Sequence, residues 1–143
     1  MVDAMNVAAL TGTSGSGKTT LIVALIEAYR AEGLRVGAIK HTHHPLNNED
    51  RGDTRRFRLA GADPVLLVSS SGPGFVVHSR GEVRRLEWHT PEDLLKACSG
   101  CDVVLVEGFK ELDAPWPKVA ITGDERPTVA ELVSELARIW TQS

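Results

Sequence analysis

The sequence predicts an α/β fold of three layers, a mostly parallel sheet with helices on both faces and an added β-hairpin. Three observations lead there. Short runs of consecutive apolar residues recur along the chain, as in strands buried on both faces. Segments with apolar residues at helical spacing alternate with those runs. One pair of runs breaks the alternation by meeting at a two-residue turn. The 143 residues read as a single domain (1–143), and 42% hydrophobic with 24% charged residues excludes a fibre or a disordered tail.

The first strand is Asn6 to Thr11, followed at once by a glycine-rich turn. Lys18 to Glu32 then carries Leu21, Leu25, Ile26 and Tyr29 on one helical face, with Gly33 as its stop. Arg35 to Lys40 and Pro64 to Ser70 are the second and third strands. Between them lie an irregular stretch, His41 to Gly52, and a short helix, Thr54 to Leu59. Phe75 to Ser79 and Glu82 to Trp88 flank Arg80-Gly81, a hairpin turn. That hairpin is either an edge of the same domain or an arm that pairs with a second subunit. Val103 to Glu107 and Val119 to Thr122 are further strands. Thr128 to Trp140 closes the chain as a helix with Leu132, Val133, Leu136 and Trp140 on one face.

Charge and composition narrow the function classes. A net charge of -3 argues against a general nucleic-acid binder, which would be basic. No apolar run approaches the ~18 residues of a membrane span. Met1 to Leu10 lacks a basic segment followed by a long apolar one, so a cytoplasmic protein is expected. Two cysteines are too few for a disulfide framework.

Gly12-Thr13-Ser14-Gly15-Ser16-Gly17-Lys18-Thr19 matches G-x-x-x-x-G-K-[ST] in full, between a strand and a helix. Glycines let successive backbone N–H groups turn toward phosphate oxygens, with no Cβ in the way. The helix that follows adds its positive end. Lys18 can reach the outer phosphates, and the Thr19 hydroxyl can ligate Mg²⁺. The architecture is therefore P-loop NTPase-like, and the chain is expected to bind a nucleotide.

Such a site places an acidic group at the end of a neighbouring strand, to hold Mg²⁺ or its water. The run Asp102 to Glu107 ends in a carboxylate at the edge where ligands of open α/β sheets bind, and Gly108 allows close approach. Glu107 is thus a metal candidate, against the plainer reading of a surface strand end. Asp53 is a second candidate, and equally a cap for the helix of Thr54 to Leu59. Lys40, His41, His43 and His44 follow the second strand at the same edge. They suit contacts to an anion first, a plain polar loop second and zinc third. Arg51, Arg55, Arg56 and Arg58 gather within eight residues, either as an anion-recognising segment or as a solvated helix face. Cys98-Ser99-Gly100-Cys101 precedes the strand ending in Glu107. It lies at the opposite edge, where buried structural thiols are favoured over a metal.

Four segments together resemble one family: residues 12–21 (Gly12 to Leu21), Ile39-Lys40-His41-Thr42-His43-His44, Leu59-Ala60-Gly61-Ala62, and Val104-Leu105-Val106-Glu107-Gly108-Phe109-Lys110. They are similar to MobB, the molybdopterin-guanine dinucleotide biosynthesis adaptor family. The resemblance implies a homodimeric, GTP-binding protein with slow intrinsic hydrolysis. Its partner would be the guanylyltransferase that joins GMP to molybdopterin, with molybdopterin or its guanine dinucleotide as a bound ligand. By position it assigns nucleotide contacts to Gly15, Gly17, Lys18, Thr19 and Thr20 and implicates Glu107. It also draws the segment His41 to His44 and Asp53 into the active face, and makes the hairpin Phe75 to Trp88 a dimer element. Two other functions fit the residues: a small-molecule kinase with Arg51 to Arg58 as its lid, and a metal-delivery GTPase using the histidines. No Asn-Lys-x-Asp guanine reader is present, and Asp124 could accept from a guanine edge or simply form a turn. Guanine is therefore implied by the resemblance alone.

Overall fold

The computed structural model describes residues 5–13, 17–43, 46, 52–109, 113–122, 124 and 126–142. Ser14, Gly15 and Ser16 of the glycine-rich turn, His44 and Arg51 lie outside the described residues.

The elements in chain order are β1 (Asn6–Thr11), α1 (Lys18–Ala31), β2 (Val36–Thr42), α2 (Asp53–Ala60), β3 (Val65–Ser69), β4 (Gly74–Ser79), β5 (Glu82–Glu87), α3 (Pro91–Ala97), β6 (Val103–Glu107), β7 (Lys118–Ala120) and α4 (Val129–Thr141). Seven strands form one sheet in the order β5-β4-β3-β2-β6-β1-β7. The pairs β3–β2, β2–β6, β6–β1 and β1–β7 are parallel, while β3–β4 and β4–β5 are antiparallel.

Alternation of side chains along each strand divides the core in two. Ala8, Leu10, Ala38 and Leu105 pack on one face with Ile22, Leu25 and Ile26 of α1, Phe57 of α2, and Leu132 and Leu136 of α4. Val7, Ala9, Ile39, Val104 and Val106 pack on the other with Leu94 of α3, Phe109 and Trp116. Three layers result, as expected. Each Leu or Ile buried in this way contributes roughly 1.5–3 kcal/mol to folding.

Four expectations need correction. β2 continues through His41 and Thr42, because β3 keeps pairing with it (His41 with Val68, Thr42 with Ser69) after β6 has ended at Glu107. The closing strand is shorter than expected and ends at Ala120. Asp53 is the first helical residue of α2 rather than its cap. Gly52 takes the cap position with φ 66°, and the Asp53 carboxylate is used elsewhere. The helix α3 was not among the expected elements. Its signal is Thr90-Pro91-Glu92-Asp93, a capping box with proline at the first turn, where the Asp93 carboxylate accepts from the Thr90 N–H at 3.0 Å.

The hairpin continues the sheet of this domain. Arg80 (φ 53°) and Gly81 (φ 78°) are both left-handed, as a two-residue hairpin turn of type I′ requires. The Asp63 carboxylate steadies that turn by accepting from the Ser79 hydroxyl at 2.6 Å and the Arg80 N–H at 3.3 Å. In β4, Phe75, Val76 and Val77 are buried, whereas every residue of the edge strand β5 is exposed. No helix is long and apolar enough to cross a membrane among the described residues.

Candidate functional site

The carboxyl ends of β1, β2 and β6 meet the start of α1. Gly17 stands immediately before that helix in the left-handed region (φ 92°), with no side chain capping the turn. Amides at the start of a helix can face an anion. Lys18 folds back over the beginning of the loop, its ammonium donating to the Gly12 carbonyl at 2.8 Å and the Thr13 carbonyl at 3.2 Å. Thr20 is exposed on the first turn of α1.

One helical residue further on, the Thr19 hydroxyl lies 3.1 Å from the Asp53 carboxylate and donates to the carboxylate of Glu107. A hydroxyl has one proton, so it cannot satisfy both carboxylates at once. A cation is needed between them, and Lys40 supplies it. Its ammonium contacts Asp53 at 3.0 Å and is ion-paired with Glu107. Sheet register makes this possible, since Lys40 and Glu107 are directly opposed on β2 and β6. Both follow the alternation onto the α1 side of the sheet. Glu107 is 1% exposed, while the side chains of Lys40 and Asp53 remain partly open. Burial pulls the Lys40 pKa down, but its bonds to Glu107 and Asp53 outweigh that and raise it, so the ammonium stays charged.

Two carboxylates against one ammonium leave a negative balance beside a hydroxyl. That set of hard oxygen donors, from Thr19, Asp53 and Glu107, fits Mg²⁺, which binds through one or two carboxylates plus ligand phosphates. Among the described residues no cluster of three or more His, Cys, Asp and Glu side chains gathers as a self-contained metal site.

The histidines are placed differently. His41 follows Lys40 and so faces the other side of the sheet. Its ring stacks on Phe109 with centroids 4.4 Å apart and planes 24° apart. Phe109 in turn meets Trp88 at 6.1 Å and Trp116 at 6.3 Å, both edge-on. His43 packs edge-on to His41 at 4.9 Å, with its Nδ1 3.2 Å from the Ser70 hydroxyl. Burial lowers the His41 pKa, and the neighbouring His43 and Lys40 add to that effect. Gly108 permits the stack, because at φ 97° an added Cβ would come 2.9 Å from the Cβ of His41. The structure thus brings Thr19, Lys40, Asp53 and Glu107 together, sets Lys18 on the adjoining loop, and turns His41 away from them.

Arg55, Arg56 and Arg58 are exposed on α2. Cys98 and Cys101 are buried free thiols against Gly37, at the far end of the strands, and burial raises the pKa of both. Their burial agrees with the expectation. Sequence reasoning missed Arg126. Its side chain lies across Gly17, so that a Cβ there would sit 2.7 Å from its Cδ. The usable signal is its position just beyond β7, the strand beside β1.

Comparison with known proteins agrees with the fold and with the family resemblance. The family model for MobB, molybdopterin guanine dinucleotide synthesis protein B, matches residues 7–140. The molybdopterin-guanine dinucleotide biosynthesis adapter protein of Haemophilus influenzae is 34% identical over 133 residues, covering 90% of this chain and 71% of its own length. The Escherichia coli protein of the same name is 38% identical over 98 residues, covering 68% of this chain and 55% of its own length. The crystal structure of Bacillus subtilis MobB superposes with a TM-score of 0.51 at 26% identity, covering 91% of this chain and 73% of that one.

Proposed function

Because this chain belongs to the MobB family of molybdopterin guanine dinucleotide synthesis proteins, we propose that it is a cytoplasmic GTP-binding adaptor in the synthesis of that dinucleotide. The observation that carries the proposal is the meeting of Thr19, Asp53, Glu107 and Lys40 beside a glycine-rich turn that opens α1. In this reading the backbone amides of residues 12–17 and the start of α1 hold the β- and γ-phosphates. Lys18 leaves its carbonyl partners to pair with phosphate oxygens. Thr19, Asp53 and Glu107 hold Mg²⁺, which neutralises phosphate charge when bound. Lys40 holds the buried Glu107 carboxylate by an ion pair beside the Thr19 hydroxyl.

Hydrolysis by the chain alone is expected to be slow. No described glutamine stands at the carboxylate group to orient a water. The partner in this proposal is the guanylyltransferase that joins GMP to molybdopterin, with the pterin or its dinucleotide as a further ligand. A homodimer is also proposed, formed along β5. That strand is an open edge whose Val83 and Leu86 are 44% and 37% exposed.

The test is equilibrium competition against a fluorescent GTP analogue, with Mg²⁺ and with EDTA. Unlabelled GTP should displace the probe at least tenfold better than ATP, and EDTA should weaken binding. Equal displacement by ATP would remove guanine from the proposal, and no binding at all would remove the nucleotide.

A further inference from the structure

At the opposite edge of the sheet from the glycine-rich turn lies a cleft of about 470 Å³. β2 alone separates the two edges by ~20 Å, at ~3.3 Å per residue. Volumes of this order hold small-molecule ligands. Its walls carry Arg30, Arg35, Arg80 and Arg84 against two carboxylates, Asp63 and Glu82. Four guanidiniums and two carboxylates leave an excess of two positive charges, in a chain whose net charge is -3.

The arginines come from separate parts of the chain. Arg30 is in the last turn of α1, Arg35 precedes β2, and Arg80 and Arg84 belong to the hairpin. Two are held in place by glycines. The stem of Arg30 rests on Gly61, where a Cβ would lie 3.2 Å from its Cγ, and its guanidinium donates to the Leu34 carbonyl at 3.1 Å. The guanidinium of Arg35 covers Gly100, where a Cβ would lie 3.0 Å from Nη1. Asp63 already accepts from the Ser79 hydroxyl and the Arg80 amide. Among the described residues no ion pair joins any of the four arginines to a carboxylate. All four are exposed and line one concave site. Guanidinium groups match phosphate oxygens in pairs, and a phosphate monoester near neutral pH carries close to two negative charges.

We infer that this cleft binds a small phosphorylated molecule, a phosphate monoester seated on Arg30, Arg35, Arg80 and Arg84. The site is independent of the nucleotide proposal, being built from different residues at the other edge of the sheet.

The experiment uses the full chain carrying Lys18→Ala, so that the glycine-rich turn contributes little to anion binding. Inorganic phosphate and glycerol 3-phosphate are titrated in turn, following the arginine side-chain N–H resonances. Saturable shifts should appear at Arg30, Arg35, Arg80 and Arg84 with both probes. Affinity should fall at least tenfold in Arg35→Ala and in Arg84→Ala. Ser99→Glu, which adds a negative charge to the cleft wall without removing an arginine, should do the same. Arg55→Ala, an exposed arginine outside the cleft, should leave affinity unchanged. The inference is overturned by absence of saturation, by equal weakening in Arg55→Ala, or by failure of glycerol 3-phosphate where inorganic phosphate binds.

Discussion

Lys40 and Glu107 face each other across adjacent parallel strands, and the ammonium of one is the direct partner of the carboxylate of the other. Glu107 is almost wholly buried, and Lys40 is only partly open to solvent. Removing one member of such a pair leaves the other uncompensated, which costs ~3–5 kcal/mol when both are deep. Lys40→Met should therefore destabilise the fold by an amount toward that range, read from urea unfolding. Glu107→Gln should cost less, ~1–3 kcal/mol, since Lys40 keeps Asp53 and some contact with solvent. Equal effects would mean that burial of Glu107 is not what makes the pair asymmetric.

Among the described residues Lys18 bonds to the carbonyls of Gly12 and Thr13, on the loop rather than in the core. Lys18→Ala should keep the unfolding midpoint nearly unchanged while abolishing binding of a fluorescent GTP analogue. Wild-type affinity in that variant would overturn the assignment of the glycine-rich turn.

Gly108 has no room for a methyl group. Its φ of 97° and the 2.9 Å approach to the His41 Cβ both oppose Gly108→Ala. Strain of this kind costs of order 1–3 kcal/mol. The variant should be destabilised by about that much, and the same change at Gly33, where nothing stands within 4 Å, should cost less. Chemical denaturation of the two proteins side by side decides it.

His41 titrates below its ordinary value of 6.5 because it is partly buried and lies near His43 and Lys40. Between 6.5 and the lowered value, the unfolded chain binds a proton that the folded chain refuses. Stability thus falls as pH drops through that window and levels off beneath it. His41→Gln should flatten this part of the profile. Parallel losses on acidification in wild type and variant would show that His41 does not drive it.

For the hairpin, excision of Phe75 to Trp88 would take away Phe75 and Val77, which belong to the core, and would unfold more than it tested. Val83→Lys with Leu86→Lys changes only the exposed edge. The proposed dimer should shift to monomer by sedimentation, with the unfolding midpoint of the monomer retained. An unchanged mass would return the hairpin to a role within one subunit.

Much of this molecule was legible because its determinants are local. The glycine-rich turn is a run of eight residues whose backbone freedom and helix-opening position need no distant contact. Glu107 was legible as an acid ending an apolar run, and the buried thiols as a pair before the same strand. Asp53 was ambiguous for a physical reason. A cap and a metal-side carboxylate share the same local pattern, and only the structure shows that Asp53 starts α2 and lies beside Thr19 and Lys40. The helix α3 carried its own signal in Thr90 to Asp93, although at seven residues it is too short to show a clear period. Arg126 was harder to read, since its contact with Gly17 spans more than a hundred residues of chain and its one signal is its place just beyond β7.

Residue order by itself determined the layered α/β class, the glycine-rich turn before α1 and the carboxylate at the end of β6, because periodicity and short-range pattern encode them. Tertiary structure alone decided that Lys40 meets Glu107 while its neighbour His41 turns to Phe109, and that four arginines share one cleft. Parallel strands lie side by side without being neighbours in sequence, so register and facing exist only once the sheet has formed.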